Sequence, residues 1–139
     1  MIHLLILLPL LTASPQTPSI EDVWITTDDE TGLQKSEVVF YQNGGKLYGK
    51  IETLLLPEDQ GKLCINCEGA LKNQPIAGLV IVNNLIQTKV GWEDGTILDP
   101  KSGKEYDCYI EFIDDNTLKV RGFIGFSLLG RTQIWKRKI

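Results

Sequence analysis

Between residues 104 and 113 the chain alternates. Tyr106, Cys108, Ile110 and Phe112 fall on one side of an extended backbone, and Asp107, Tyr109, Glu111 and Ile113 on the other. The next segment, 117–125, sets Leu118, Val120, Gly122 and Ile124 against Thr117, Lys119, Arg121 and Phe123. A period of two marks strands with one face turned to a core, and Asp114-Asp115-Asn116 between them reads as a turn, so the two segments are predicted to form a hairpin. No window of helical length carries an apolar repeat at three, four and seven. The predicted class is all-β.

Further runs rich in Val, Ile, Tyr, Phe and Thr lie at 22–27, 35–42, 46–55, 78–84, 91–98 and 130–138. Asn43-Gly44-Gly45 offers the positive φ angles of a tight hairpin between the second and third of these strands. Asp99-Pro100-Lys101-Ser102-Gly103 is a second clear turn, and a long loop at 56–75 carries Pro57, Gly61, Cys64, Cys67, Gly69 and Pro75. Within Lys46-Leu47-Tyr48-Gly49-Lys50, Gly49 marks a place where another backbone comes close. Eight antiparallel strands joined mainly by hairpins suit an up-and-down barrel, which removes exposed sheet edges and encloses at most one small ligand. In such a barrel the first and last strands are neighbours. The acidic start, Glu21 and Asp22, would then lie beside the basic end, Lys136, Arg137 and Lys138, a favourable match for closure.

The N-terminus departs from this pattern. From Ile2 to Leu11 the chain is almost wholly apolar and ends in Thr12-Ala13-Ser14, the layout of a secretory signal peptide cleaved after Ala13. The run is too short to span a bilayer, and no Cys follows it to carry a lipid, so no membrane anchor is expected. Residues 1–13 are thus read as a leader, 14–20 as a linker and 21–139 as a single β-barrel domain, expected to be monomeric. At 139 residues the chain has room for one core. Cleavage would also remove His3, the only histidine. A chain without histidine has no Ser-His-Asp or Cys-His nucleophile, no His-ligated metal and no His-bound haem, so the expectation is a binding protein without catalytic residues, metal or cofactor. The net charge of −4 and the absence of a basic stripe interleaved with aromatics argue against nucleic acid.

Cys64-Ile65-Asn66-Cys67 is the one compact reactive motif. In an oxidising compartment two such close thiols favour a structural disulfide that ties down the loop. The competing reading, a redox dithiol, lacks the helix start and βαβ setting in which that spacing acts. Cys108 points to the core by alternation, either as a small buried hydrophobe or as the partner of Cys64 or Cys67 in a longer bridge. The carboxylates Asp28, Asp29, Glu30, Asp114 and Asp115 sit where turns want Asp and lack the spacing of a calcium loop. Candidate ligand contacts are the large aromatics Trp24, Tyr48, Trp92 and Trp135, with Arg121 and Arg131 able to stack on them or line a cavity.

These motifs assemble into a resemblance. Trp24, Asp28-Asp29-Glu30-Thr31-Gly32, Gly45-Lys46-Leu47-Tyr48-Gly49-Lys50-Ile51, Cys64-Ile65-Asn66-Cys67 and Pro75-Ile76-Ala77-Gly78-Leu79 are followed by Trp92, the Gly95–Lys104 stretch, Leu118-Lys119-Val120-Arg121-Gly122 and Gly130–Arg137. In this order they resemble domain-of-unknown-function family 2147. The resemblance implies a secreted or periplasmic bacterial protein with a lipocalin-like β-barrel and no assigned activity. Lipocalin-type barrels carry Gly two residues before the strand Trp, and here Asp22 stands in that place. Two functions follow as expectations: a carrier or sensor for a small, mostly apolar ligand inside the barrel, or an envelope protein-binding module acting through the 56–75 loop and the Asp99–Gly103 turn.

Overall fold

The structure is a computed structural model that describes residues 2–11, 18–126 and 128–139. The expected cleavage point at Ala13 lies outside the described residues. Eight strands, β1 (Val23–Thr27), β2 (Gln34–Asn43), β3 (Lys46–Leu54), β4 (Val80–Gln87), β5 (Gly91–Leu98), β6 (Glu105–Asp114), β7 (Thr117–Phe123) and β8 (Gly130–Arg137), follow one another round a closed antiparallel barrel. Six of the strands begin and end within one residue of their predicted bounds. The exceptions are β4, displaced toward its C-terminal side, and β7, which stops at Phe123.

Local chemistry accounts for the turns. Asn43 pairs with Lys46 across Gly44 and Gly45, whose φ values of 60° and 77° give the left-handed pair that a two-residue hairpin needs. Asp114 Oδ1 accepts the Asn116 N–H and closes the β6–β7 turn. Closure of the barrel brings Trp24 opposite Arg137 and Ile25 opposite Lys136. The acid-to-base match expected there is realised by Asp22 and Arg137, 2.8 Å apart, while Lys138 reaches Glu37 of β2 at 3.0 Å rather than Glu21.

Strict alternation fails in β3, where Glu52 is extra in the register with β2 and Ile51 and Leu54 both turn inward, and again in β4 and β5, there with a non-glycine residue at positive φ. Asn84 and Asp94, at 61° and 63°, each insert an extra residue into a strand. Val82 and Leu85 therefore both turn inward although three apart, as do Trp92 and Gly95. This is why β4 extends past the predicted 84.

The up-and-down path sorts the connections. The turns at 43–46, 87–91 and 114–117 gather at one end of the barrel with residues 18–22 and the C-terminal residues, and the loops 28–33, 55–79, 99–104 and 124–129 gather at the other. The first end is filled. Trp24, Val38, Phe40, Leu47, Val82, Leu85, Trp92, Ile110, Leu118 and Trp135 form one buried cluster, with Phe40 stacked on Trp135 at 5.8 Å and Trp24 edge-on to Phe112. Ile20 joins it at 3% exposure, so the folded domain begins before residue 21 and the expected linker ends in the core.

Two expectations are corrected. Ile124 was grouped with the β7 core face, but it is 58% exposed because β7 ends at Phe123 and Gly125, at φ 66°, turns the chain away. Gly49 makes room for side chains rather than backbone: a Cβ there would press on the Phe40 ring and on Val82, at 3.0 and 3.1 Å.

Candidate functional site: a cavity at the loop end of the barrel

Above the filled half the barrel is hollow. A cavity of about 890 Å³ opens at the loop end, within the range of small-ligand sites. Its walls are apolar where the strands supply them: Ile51 and Leu54 from β3, Ile81 from β4, Ile97 and Leu98 from β5, Val120 from β7 and Trp135 from β8. Gly122 adds width, since it presents no side chain between Ile97 and Tyr106.

Polar groups are few inside and many at the rim. In the wall near the loop ends of β1 and β2, the hydroxyls of Thr26 and Ser36 are 2.6 Å apart, both residues buried. Two hydroxyls joined by one hydrogen bond retain a further donor hydrogen and lone pairs. Beside them Gln133 accepts the Trp135 indole N–H at 3.0 Å and donates from its amide to Asp29 at 3.2 Å. At the rim, Arg131 and Asp29 pair at 3.2 Å, and Lys62 and Asp59 at 2.8 Å. Asp28 is a turn builder, as its position in the sequence suggests: its Oδ1 accepts the N–H groups of Glu30 and Thr31, which hold its carboxyl below the usual range.

The long loop forms one side of the mouth. Cys64 and Cys67 are joined as a disulfide. Asn66 between them donates to the Lys101 carbonyl at 2.9 Å, and the Cys64 sulfur rests 3.4 Å from the Pro100 carbonyl oxygen. Gly103, at φ 74°, permits this junction, because a Cβ there would overlap the Asn66 carbonyl. Leu63, Ile65 and Asn66 consequently line the cavity, which makes the 55–79 and 99–104 loops one roof. Cys108 takes no part. It is a buried free thiol, pushed up to about 12 by burial.

The six candidate contact residues separate into three groups. Trp135 and Arg131 line the cavity, one in its wall and one at its rim. Trp24 and Trp92 are buried in the filled half: the Trp24 indole N–H donates to the Ile20 carbonyl at 2.9 Å and Trp92 pairs across β6 with Ile110. Tyr48 and Arg121 stand on the outer face, where strand alternation places them. Tyr48 stacks on Tyr41 and donates to Asn84 at 2.7 Å, and Arg121 donates to Thr132 at 3.1 Å. Sequence reasoning missed Thr26, Ser36 and Gln133. The signal available for Thr26 and Ser36 was a hydroxyl on the inward face of each of two adjacent strands.

No curated protein sequence matches the chain. Among solved structures, protein HP1028 from the human pathogen Helicobacter pylori, described as belonging to the lipocalin family, shares the fold with a TM-score of 0.77 at 21% identity, over 88% of this chain and 85% of that one. The model of the family described as "Uncharacterized protein conserved in bacteria (DUF2147)" matches residues 23–137, from the first strand of the barrel to the last, and the chain belongs to that family.

Proposed function

We propose that the protein is an extracytoplasmic carrier or sensor that holds one small, largely apolar ligand in the barrel, and that it is not an enzyme. The observation carrying this reading is the half-filled interior. A barrel that only needed to fold would be packed throughout at close to crystal density, whereas here about 890 Å³ stands open beneath the loops, walled by Ile51, Leu54, Ile81, Leu98 and Val120 of the buried apolar cluster. The lining asks for an apolar body that displaces water, with one neutral polar group, a hydroxyl or carbonyl, meeting Thr26, Ser36 or Gln133.

Placement outside the cytoplasm draws on two independent features. Residues 2–11 form no regular element and their leucines are exposed, as suits a leader that is not part of the fold. The disulfide between Cys64 and Cys67 suits an oxidising compartment. The alternative, a protein-binding module acting through the 56–75 loop and the Asp99–Gly103 turn, has less support because residues of both line the cavity.

Native mass spectrometry of protein purified from its own envelope tests the reading, together with titration of an apolar fluorescent probe that reports through Trp135. A retained small molecule, or saturable one-to-one probe binding, is the expected result. Absence of both would end the carrier proposal.

A further inference from the structure

The seam that closes the barrel is zipped over only part of its length. β1 and β8 pair at Trp24 with Arg137 and at Ile25 with Lys136, both toward the filled end, and their ladder stops there. β8 continues over 130–135 with β7 as its paired neighbour. β1 bends the other way, since its register with β2 shifts between Thr26 and Thr27, where it parts from β8. A wedge without strand pairing is left between them. It lies at the level of the cavity, which Thr26 and Thr27 line from one edge and Gly130, Arg131, Gln133 and Trp135 from the other.

Asp29 spans this wedge. From the 28–33 loop that follows β1, its carboxylate pairs with Arg131 at 3.2 Å and accepts the Gln133 amide at 3.2 Å, and Gln133 in turn accepts the Trp135 indole N–H. Arg131, Gln133 and Trp135 are two residues apart along the cavity face of β8, so the catch is continuous with the wall. An ion pair whose side chains are 66% and 41% exposed holds weakly, and such a catch opens far more readily than a strand ladder. The far side of the mouth is fixed by contrast. There the 55–79 loop is braced by its disulfide and bonded to the 99–104 turn through Asn66 and Lys101.

We propose that the loop-end half of the β1–β8 seam is a side portal of the cavity, held shut by Asp29, and that an apolar ligand enters and leaves when this carboxylate releases Arg131 and Gln133. Below the catch the edges are uncharged, with Thr26 and Thr27 on one side and Ile134 and Trp135 on the other. The rim above the cavity carries Glu58, Asp59, Lys62 and Lys101. An apolar body passing through the wedge leaves the hydration of those charges undisturbed. The ligand's route rests on the carrier reading; the catch does not.

Stopped-flow binding of an apolar fluorescent probe, together with amide hydrogen exchange of the ligand-free protein, tests the portal. Because the catch holds wall to wall, Asp29→Ala is expected to raise the association and dissociation rates together, each about three- to tenfold, while the affinity moves far less than either. Exchange over 130–135 should quicken in the same variant, and unchanged protection over 105–114 shows that it folds. Glu37→Gln, which removes an ion pair to Lys138 away from the wedge, should alter neither rate. Probe binding at wild-type rates in Asp29→Ala would overturn the portal and leave the carrier reading standing, even if exchange over 130–135 rises. A loss of affinity through faster dissociation alone would make Asp29 a ligand contact and overturn the portal too. Faster exchange over 130–135 in a protein that binds no probe would support the catch, but would end the carrier reading and the ligand's route with it.

Discussion

The guanidinium of Arg137, from the last strand, lies over the indole of Trp24, from the first, 4.4 Å from the ring centroid. The pair seals the filled end of the barrel at the seam where β1 meets β8. Arg137 also donates to Asp22, to the carbonyls of Ser19 and Asp115 and to Asn116. One side chain thereby binds the N-terminal segment, the β6–β7 turn and the seam. Asp22, two residues before Trp24, supplies the carboxylate that holds Arg137 in position.

Replacing Arg137 by Met keeps the aliphatic stem and removes the charge and its donors. The expected cost is about 2–3 kcal/mol, from cation–π contact and charged hydrogen bonds at a largely buried site. Urea unfolding with an unchanged m-value is the measurement. Asp22→Asn should cost less, about 0.5 kcal/mol, since the Asp22 side chain is partly open to water. That difference has a pH signature. The Val23 N–H and Arg137 lower the Asp22 carboxyl below its unfolded value of 3.8, so its contribution is fully present above 3.8 and is lost as pH falls through the lower folded value. Wild type and D22N should therefore converge in stability only in strong acid.

Opening the disulfide should loosen the mouth and leave the barrel intact. Closing so short a ring is worth about 2 kcal/mol on the chain-entropy estimate, and the strands do not depend on it. A C64S/C67S variant is expected to keep its strand signal by circular dichroism, to be cut faster by protease within 56–75, and to bind an apolar probe more weakly, because Leu63, Ile65 and Asn66 lose their fixed places at the rim. Gly103→Ala should show the same pattern without touching a cysteine. Loss of global folding in either variant would contradict a roof-only role for the loop.

Why the barrel was legible in the sequence and its cavity was not follows from what each depends on. Cys108, Ile110, Leu118 and Val120 alternate with polar residues, and alternation is a local property of the backbone. Hairpin turns such as Gly44-Gly45 are likewise local. The bulges at Asn84 and Asp94 are set by neighbouring strands, so the inward aim of Leu85 and Gly95 escaped a strict period of two. Position along the barrel axis escaped too. Trp24 and Trp135 are both inward aromatics, and only the stagger of the closed sheet places one at the floor and the other in the cavity wall. Alternation carried past Phe123 predicts an inward Ile124, but Gly125 at φ 66° turns the chain away and leaves Ile124 exposed.

Cys108 should behave as an inert thiol. Burial raises it to about 12, so at pH 8 almost none is thiolate, and thiolate is the reactive form. An Ellman titration of the native, unreduced protein is expected to count no fast thiol, and one thiol after denaturation. Rapid modification in the native state would show that the barrel opens near β6 far more readily than a closed sheet allows.

The decisive substitution for the cavity is one that fills it from the wall. Ile97 is half-buried on β5, faces the open space, and sits across from Gly122, where a Cβ would come within 3.3 Å of its methyl group. Ile97→Trp puts an indole into that space. Because the added ring enters a void rather than a packed core, the stability change should stay near or below about 1 kcal/mol, whereas Val38→Trp in the filled half should cost about 1–3 kcal/mol or more by overpacking. Probe affinity should fall about tenfold or more in Ile97→Trp, a loss of about 1.4 kcal/mol per tenfold. Val38→Trp should affect binding only as far as it unfolds the protein. The contrast separates a ligand site from a packing defect: if both substitutions destabilise alike and Ile97→Trp binds the probe like wild type, the open half of the barrel is not where an apolar ligand sits.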